Sequence, residues 1–184
     1  MRLRPSGRQG PVATSLDAFQ SYQLDEAWTW EHLALTRARA VAGNLALGED
    51  VEAFRADFLE QTRDRGKTFA DVAEMRARLA EAKPADSAYE AKRGAGRMQD
   101  IELCAQTAAL VTGAATRDVT GQIAAGVAGG WLDAADGAAL SDASRLLWRL
   151  QAAGRLLAGG VFDPDAVGEG GRRFVLRETG YATM

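Results

Sequence analysis

The feature that most constrains the fold of this chain is the spacing of its apolar side chains after residue 14. Between residues 68 and 82 they recur every three or four positions, which is the repeat of an amphipathic helix. The same repeat returns between residues 133 and 158. The pattern predicts a mainly α fold, with a bundle of about six to eight helices over residues 15–184.

Capping residues and glycines predict where the helices begin and end. Ser15 is a typical N-cap, and Asp25 predicts the start of a second helix that runs to about Val41 and stops at Gly43–Asn44. Asp163, which a proline follows, predicts the start of the last helix. The other predicted helices span about residues 50–63, 68–82, 98–112, 120–128 and 133–158.

Strands are predicted at only two places. Residues 1–4 alternate in polarity, a turn follows at Pro5–Gly7, and residues 10–13 are extended, which together predict a small N-terminal β-hairpin. Because a hairpin of this size is only marginally stable alone, residues 1–14 are predicted to be the edge of a larger sheet. A short strand is also predicted at residues 89–92, before a tight glycine loop.

Composition excludes several classes of protein. The net charge of −3 argues against a general nucleic-acid binder, which normally carries a surplus of basic residues. The single cysteine, Cys104, excludes an internal disulfide framework and is typical of a reducing compartment. No apolar run reaches the roughly 18 residues that cross a bilayer, and the N-terminus lacks the pattern of a signal peptide. The sequence therefore predicts a soluble, cytoplasmic chain with neither nucleic acid nor membrane as a partner.

Three groups of residues resemble motifs of a known enzyme family. The first is Arg2-Leu3-Arg4-Pro5-Ser6-Gly7, and the second runs from Glu26-Ala27-Trp28-Thr29-Trp30-Glu31-His32 to Arg37-Ala38-Arg39. The third combines Lys92, Gly94 and Gly96 with Asp100-Ile101-Glu102 and Gln106. In this order and spacing the chain resembles glutamine synthetase adenylyltransferase, and the second motif resembles its C-terminal, adenylylating half. The resemblance covers residue 1 to about residue 110.

The resemblance implies a fold and an activity. Family members carry two nucleotidyltransferase domains of the DNA polymerase β type, each followed by a helical bundle. Residues 1–14 would then be the incomplete edge of such a sheet, and residues 15–184 the bundle domain. The family's reaction attaches AMP to a tyrosine of glutamine synthetase with ATP and Mg²⁺, and its partners are glutamine synthetase and a PII-type nitrogen regulatory protein.

The resemblance also implies which chemistry this chain lacks. The family's metal-binding carboxylates, in an Asp-x-Asp motif and a third aspartate, correspond to no residue of this sequence. We therefore expect no catalytic residue, no metal ligand and no tightly bound cofactor in the chain, and no transfer of AMP by the chain alone. Two alternatives stay open: a free-standing, non-catalytic module that binds glutamine synthetase or a nitrogen-signalling regulator, and a segment that serves the deadenylylating half.

Five residues are candidates for binding the nucleotide. Arg2 and Arg4 lie on one face of the predicted strand, where they contact the triphosphate or pair with carboxylates of the bundle. Ser6 and Gly7 line the nucleotide pocket or only form a turn. Lys92 resembles a lysine that ends a short strand beside the catalytic sheet, where it is either near phosphate or structural.

The remaining residues of the second and third motifs have structural interpretations. His32 is interpreted as a packed, hydrogen-bonded histidine, and Trp28 as a core residue. Arg37 and Arg39 either form ion pairs that tie their helix to the neighbouring sheet or hold the nucleotide or client protein. The chain departs from the family at Arg97, because family members read Gly-Gly-Ile where this chain has Gly96-Arg97-Met98. A bulky arginine at this position opposes the close backbone approach that the family's loop usually makes.

Overall fold

A computed structural model describes residue 10 and residues 13–85, 87–159 and 162–183. Within these ranges the chain contains eight helices and no strand. The helices are α1 (Leu16–Asp25), α2 (Thr29–Leu35), α3 (Leu45–Glu60), α4 (Arg65–Ala82), α5 (Met98–Thr112), α6 (Val119–Ala128), α7 (Ala134–Leu157) and α8 (Gly168–Thr179). The prediction of a mainly helical chain is confirmed.

The predicted N-terminal hairpin falls largely outside the described residues, since residues 1–9, 11 and 12 are not among them. Gly10, Ala13 and Thr14 are described and belong to no strand. The short strand predicted at residues 89–92 is wrong, because this segment forms turns and bends. Two glycines follow in a tight loop, as predicted, and Gly94 has a φ of +118°, a conformation that side chains disfavour.

The prediction of one helix from Asp25 to about Val41 is wrong at both ends. Asp25 is the last residue of α1, and α2 begins only after Trp28, whose backbone N–H donates to the Glu31 carboxylate at 3.1 Å. At the other end α2 stops at Leu35, and Asn44 does not terminate it. Asn44 is instead the N-cap of α3, because its side chain accepts a hydrogen bond from the Leu47 N–H at 3.2 Å.

The remaining predicted helices agree more closely with the structure. The predicted boundaries of α5 are those observed, and the N-cap Ser15 is also confirmed. The helix predicted at residues 133–158 is α7, and Asp133 is its N-cap. The last helix begins later than predicted, after Val167 rather than Asp163, because Asp163 accepts a hydrogen bond from the Asp165 N–H within a preceding turn.

Helix α5 lies at the centre of the fold and packs against α2, α3, α4, α6 and α7. One face of α5 contributes Leu103 and Leu110 to a core with Leu33, Leu35, Phe58 and Leu59. Another face places Ile101 and Ala105 against Ile123 of α6. The helices α5 and α6 approach closely at Gly126, where a Cβ atom would lie only 2.9 Å from the Ala108 Cβ atom. A third, smaller core joins α7 to α8 through Ala153, Phe162 and Val175.

Candidate functional site

A large cleft lies where the second and third motifs meet. It has a volume of about 1270 Å³ and is lined by α2, the end of α4, the loop at residues 87–97, α5 and α7. The second motif contributes Trp30, Ala34 and Arg37 to its wall. The third contributes Lys92, Glu102 and Gln106, although more than 50 residues separate the two motifs in the sequence.

An ion pair joins the two motifs across this cleft. Nη1 of Arg37 lies 3.4 Å from Oε2 of Glu102, and both side chains are partly exposed. Of the two interpretations of Arg37, this contact agrees with the ion pair, although the partner is on a helix and not on a sheet. Arg39 lies beyond α2 and is exposed. At this exposure the Arg37 pair contributes at most about 1 kcal/mol, so its main effect is on the position of the two side chains.

The loop at residues 87–97 is held by arginine and glutamate side chains. The Arg97 guanidinium donates to the backbone carbonyls of Ser87, at 3.0 Å, and Glu90. The Glu90 carboxylate is 6% exposed and accepts from the Arg93 guanidinium and from the Lys92 N–H, at 2.8 and 3.0 Å. Burial raises the pKa of Glu90, but these hydrogen bonds lower it more, and the net direction is downward. The loop thus has a fixed conformation, and Arg97 stabilises it from within.

Only one of the five candidate binding residues lies within the described part of the chain. Lys92 lines the cleft and is exposed, but no strand precedes it. Arg2, Arg4, Ser6 and Gly7 lie outside the described residues.

Several residues of the cleft could not be assigned from the sequence. Lys83 ends α4, Arg155 lies near the end of α7, and Phe162 follows that helix, so only tertiary packing brings them to the cleft. Gln106 belongs to the third motif, but the sequence does not show whether its side chain lies in the core or at a surface. Its burial, at 1% exposure, is visible only in the structure.

The predictions for His32 and Trp28, both in the second motif, have different outcomes. His32 is packed and hydrogen-bonded as predicted. Its Nε2 atom lies 3.1 Å from the Gln23 carbonyl oxygen. Its ring makes a T-shaped contact with the Phe58 ring, with 4.9 Å between the two ring centroids. Burial lowers its pKa. The prediction that Trp28 is a core residue is wrong, because its side chain is 68% exposed. Trp28 precedes α2 as its N-cap and therefore does not share the buried stripe of that helix.

Two acidic residues of the third motif bind basic groups. Asp100 accepts from the Arg76 guanidinium at 2.6 Å and from the Gly96 N–H at 2.9 Å, and its pKa is lowered by these contacts although burial raises it. Glu102 pairs with Arg37, as described above. Among the described residues no group of three or more His, Cys, Asp or Glu side chains is placed to hold a metal ion. No described helix is long and apolar enough to span a membrane.

Comparisons with known proteins identify both motif regions. The model of a family described as glutamate-ammonia ligase adenylyltransferase matches residues 1–54, and the model of GlnD PII-uridylyltransferase matches residues 66–162. Both descriptions name enzymes that transfer a nucleotidyl group, and the two matched stretches meet in the core of one helical fold.

Curated relatives match nearly the whole chain. The bifunctional glutamine synthetase adenylyltransferase/adenylyl-removing enzyme of Mesorhizobium japonicum is 43% identical over 173 residues, which is 92% of this chain and 18% of the relative. The enzyme of the same name from Rhizobium meliloti is 41% identical over 192 residues, covering 100% of this chain and 19% of the relative.

The family models and curated relatives that this helical body matches are all named for the transfer of a nucleotidyl group. The chain belongs to the glutamine synthetase adenylyltransferase family, as the resemblance predicted. It spans about a fifth of the length of these curated relatives.

Proposed function

We propose that this chain is the helical body of an ATP-dependent adenylyltransferase that attaches AMP to a tyrosine of glutamine synthetase. The observation that carries the proposal is the convergence of the second and third motifs on one cleft, where Arg37, two residues after α2, pairs with Glu102 of α5. In the complete enzyme this cleft would close one side of the nucleotide site. The names of the curated relatives support glutamine synthetase as the client.

Lys92 is the described residue that we assign to the nucleotide. Lys92 lines the cleft and is exposed, so its ammonium group is accessible to a phosphate group in the cleft. The loop that carries Lys92 is held by the hydrogen bonds of Arg97 and Glu90. On the resemblance alone, we assign Arg2 and Arg4 to the triphosphate and Ser6 and Gly7 to the pocket around it. Bound ATP would supply the AMP group, and we assign no residue of this chain to Mg²⁺.

A PII-type regulatory protein is the second proposed partner, and the cytoplasm the proposed location. Both follow from the resemblance. Size-exclusion chromatography of the purified chain with PII and with glutamine synthetase tests the two partners separately. Co-elution with glutamine synthetase is expected, whereas elution of all three proteins apart would contradict the proposed partners.

The family role is tested by deleting the gene that encodes the chain and measuring AMP on the tyrosine of glutamine synthetase by mass spectrometry. We expect loss of this modification. Unchanged modification in the deletion strain would contradict the proposed function.

We also propose that the 184 residues alone do not transfer AMP, because the resemblance assigns the metal-binding carboxylates to none of them. Incubation of the purified chain with glutamine synthetase, Mg²⁺ and α-labelled ATP should leave the client unlabelled, and calorimetry with Mg²⁺-ATP should show no binding tighter than about millimolar. Labelled client would overturn this part of the proposal. A chain that binds the client while its deletion leaves the modification intact would instead support a free-standing binding module.

A further inference from the structure

Gln106 is buried in the wall of the cleft, and the oxygen of its side-chain amide, Oε1, has no hydrogen-bond partner among the described residues. The residue is 1% exposed. The adjacent Thr107 is satisfied, because its hydroxyl donates to the Leu103 carbonyl at 2.7 Å. Gln23 and Gln122 also have an unpartnered Oε1 atom, but of the three only Gln106 lines the large cleft. Since buried polar groups are nearly always paired, a molecule that enters the cleft is the natural partner.

The charges around the cleft favour an anion. Its two carboxylates are already paired, Glu102 with Arg37 and Glu90 with Arg93. Three further cations line the cleft: Lys83, Lys92 and Arg155. All three are exposed, and none forms an ion pair with another described residue. The cleft therefore has an uncompensated positive charge at its rim, although the whole chain has a net charge of −3.

Two aromatic residues, Trp30 and Tyr89, also line the cleft. Aromatic side chains are common partners for flat rings, which they contact by stacking. A glutamine amide offers one acceptor beside one donor, which matches the paired groups on the edge of a nucleobase. A ligand with a planar base at one end and an anionic tail at the other satisfies all three features at once.

We propose that Gln106 contacts the base of a nucleoside phosphate in this cleft, while Lys92 and Arg155 bind its phosphates. The proposal rests on the proposed function, because it names the residue of the same nucleotide site that contacts the base. It adds Gln106 and Arg155 as contact residues, and it places the base toward α5 and the phosphates toward the rim.

The test separates the contact to the base from the contact to the phosphates. ATP and inorganic tripolyphosphate are titrated into the purified chain without divalent cations, and ³¹P resonances report binding of either ligand. Both should bind weakly, in the millimolar range, and ATP should bind more tightly. Gln106→Leu should weaken ATP binding about fivefold to tenfold and leave tripolyphosphate unchanged, because only the base loses a hydrogen bond.

Variants of the cations provide the second arm. Lys92→Ala and Arg155→Ala should each weaken both ligands about twofold to fivefold. Arg149→Ala is the matched control, since Arg149 is an exposed arginine of the same helix as Arg155 but does not line the cleft. At about 0.1 M salt its removal should leave both affinities unchanged.

Three results would overturn the inference: no binding of ATP, equal weakening of both ligands by Gln106→Leu, or equal effects of Arg149→Ala and Arg155→Ala. Circular dichroism of each variant checks that the fold is retained, and the two cation variants change only exposed residues. None of these results alters the outcome of the gene deletion, so failure of this inference is distinguishable from failure of the proposed function.

Discussion

Glu31 is a buried acidic residue whose carboxylate is held by two donors. Its side chain accepts from the Tyr22 hydroxyl at 2.9 and 3.0 Å and from the Trp28 N–H at 3.1 Å, and the residue is 1% exposed. A buried carboxylate is stable only when it is hydrogen-bonded in this way. Glu31 therefore connects α1 to the first turn of α2, and so positions the motif that lines the cleft.

His32 predicts a pH dependence of stability. Burial lowers its pKa, its hydrogen bond to the Gln23 carbonyl raises it, and the nearby Arg63 and Lys67 lower it further, with a net direction below 6.5. The unfolded chain therefore binds a proton at His32 more readily than the folded chain. The free energy of unfolding should fall as the pH is lowered below about 6.5, and this contribution is fully retained above that value.

The measurement uses the fact that His32 is the only histidine. The resonances of its imidazole ring can be followed by NMR between about pH 4 and 8, which includes the range in which histidine titrates. We expect a midpoint below 6.5, and His32→Gln should reduce the slope of stability against pH in this window. A midpoint above 6.5 would contradict the prediction.

At the scale of the elements, the end of α2 depends on a side chain from another helix. Arg55 of α3 is 2% exposed and donates to the backbone carbonyls of Leu35, at 2.9 Å, of Thr36, and of Ala115, at 2.9 Å. It thus adds a donor to the last carbonyl of α2, which also accepts from the Ala38 N–H, and bonds the Thr36 carbonyl that follows the helix. Burial lowers the pKa of Arg55.

Arg55→Met should destabilise the fold by about 2–4 kcal/mol, because the Thr36 and Ala115 carbonyls lose their side-chain donor. The Leu35 carbonyl keeps only its backbone donor. Chemical denaturation measures this loss. Arg78→Met is the control, since Arg78 forms an exposed pair with Glu74 on α4, and it should change stability by less than about 0.5 kcal/mol. Equal effects of the two substitutions would show that the Arg55 contacts do not stabilise the end of α2.

The loop at residues 87–97 depends on Arg97 in a similar way. Arg97→Ala removes the hydrogen bonds to the carbonyls of Ser87 and Glu90 and should loosen this loop while leaving the helices intact. Hydrogen exchange should therefore accelerate by about tenfold at residues 87–97 and stay unchanged in α6. Arg149→Ala should not alter exchange in the loop, and protection that survives Arg97→Ala would contradict the assigned role.

At the scale of the whole molecule, one core joins the stretches that the two family models match. Leu33 and Leu35 from the first matched stretch pack with Leu103 and Leu110 from the second, so the two stretches share one apolar cluster. Phe58, from the residues between the two matches, belongs to the same cluster. A shared core of this kind makes the two stretches depend on each other for stability.

Unfolding should therefore be a single transition for residues that contact this core. Leu110→Ala should lower the free energy of unfolding by about 3 kcal/mol, because it leaves a cavity beside α2, α3 and α5. Tryptophan fluorescence and far-ultraviolet circular dichroism should give coincident transitions in the wild type and in the variant. Separate transitions by the two probes would show that the stretches unfold independently.

The helical class, the boundaries of α5, the N-cap Ser15 and the family were predicted correctly from the sequence, because they depend on local spacing and on motifs that are contiguous in the chain. It misplaced the ends of α2 and the side chain of Trp28, because the start of that helix depends on Glu31 bonding back to the Trp28 backbone and its end on Arg55 from a different helix. The residues that line the cleft could be identified only from the tertiary structure. The wall of the cleft combines Gln106, Lys92 and Arg155 from separate elements, and no local pattern records which distant side chains packing will bring together.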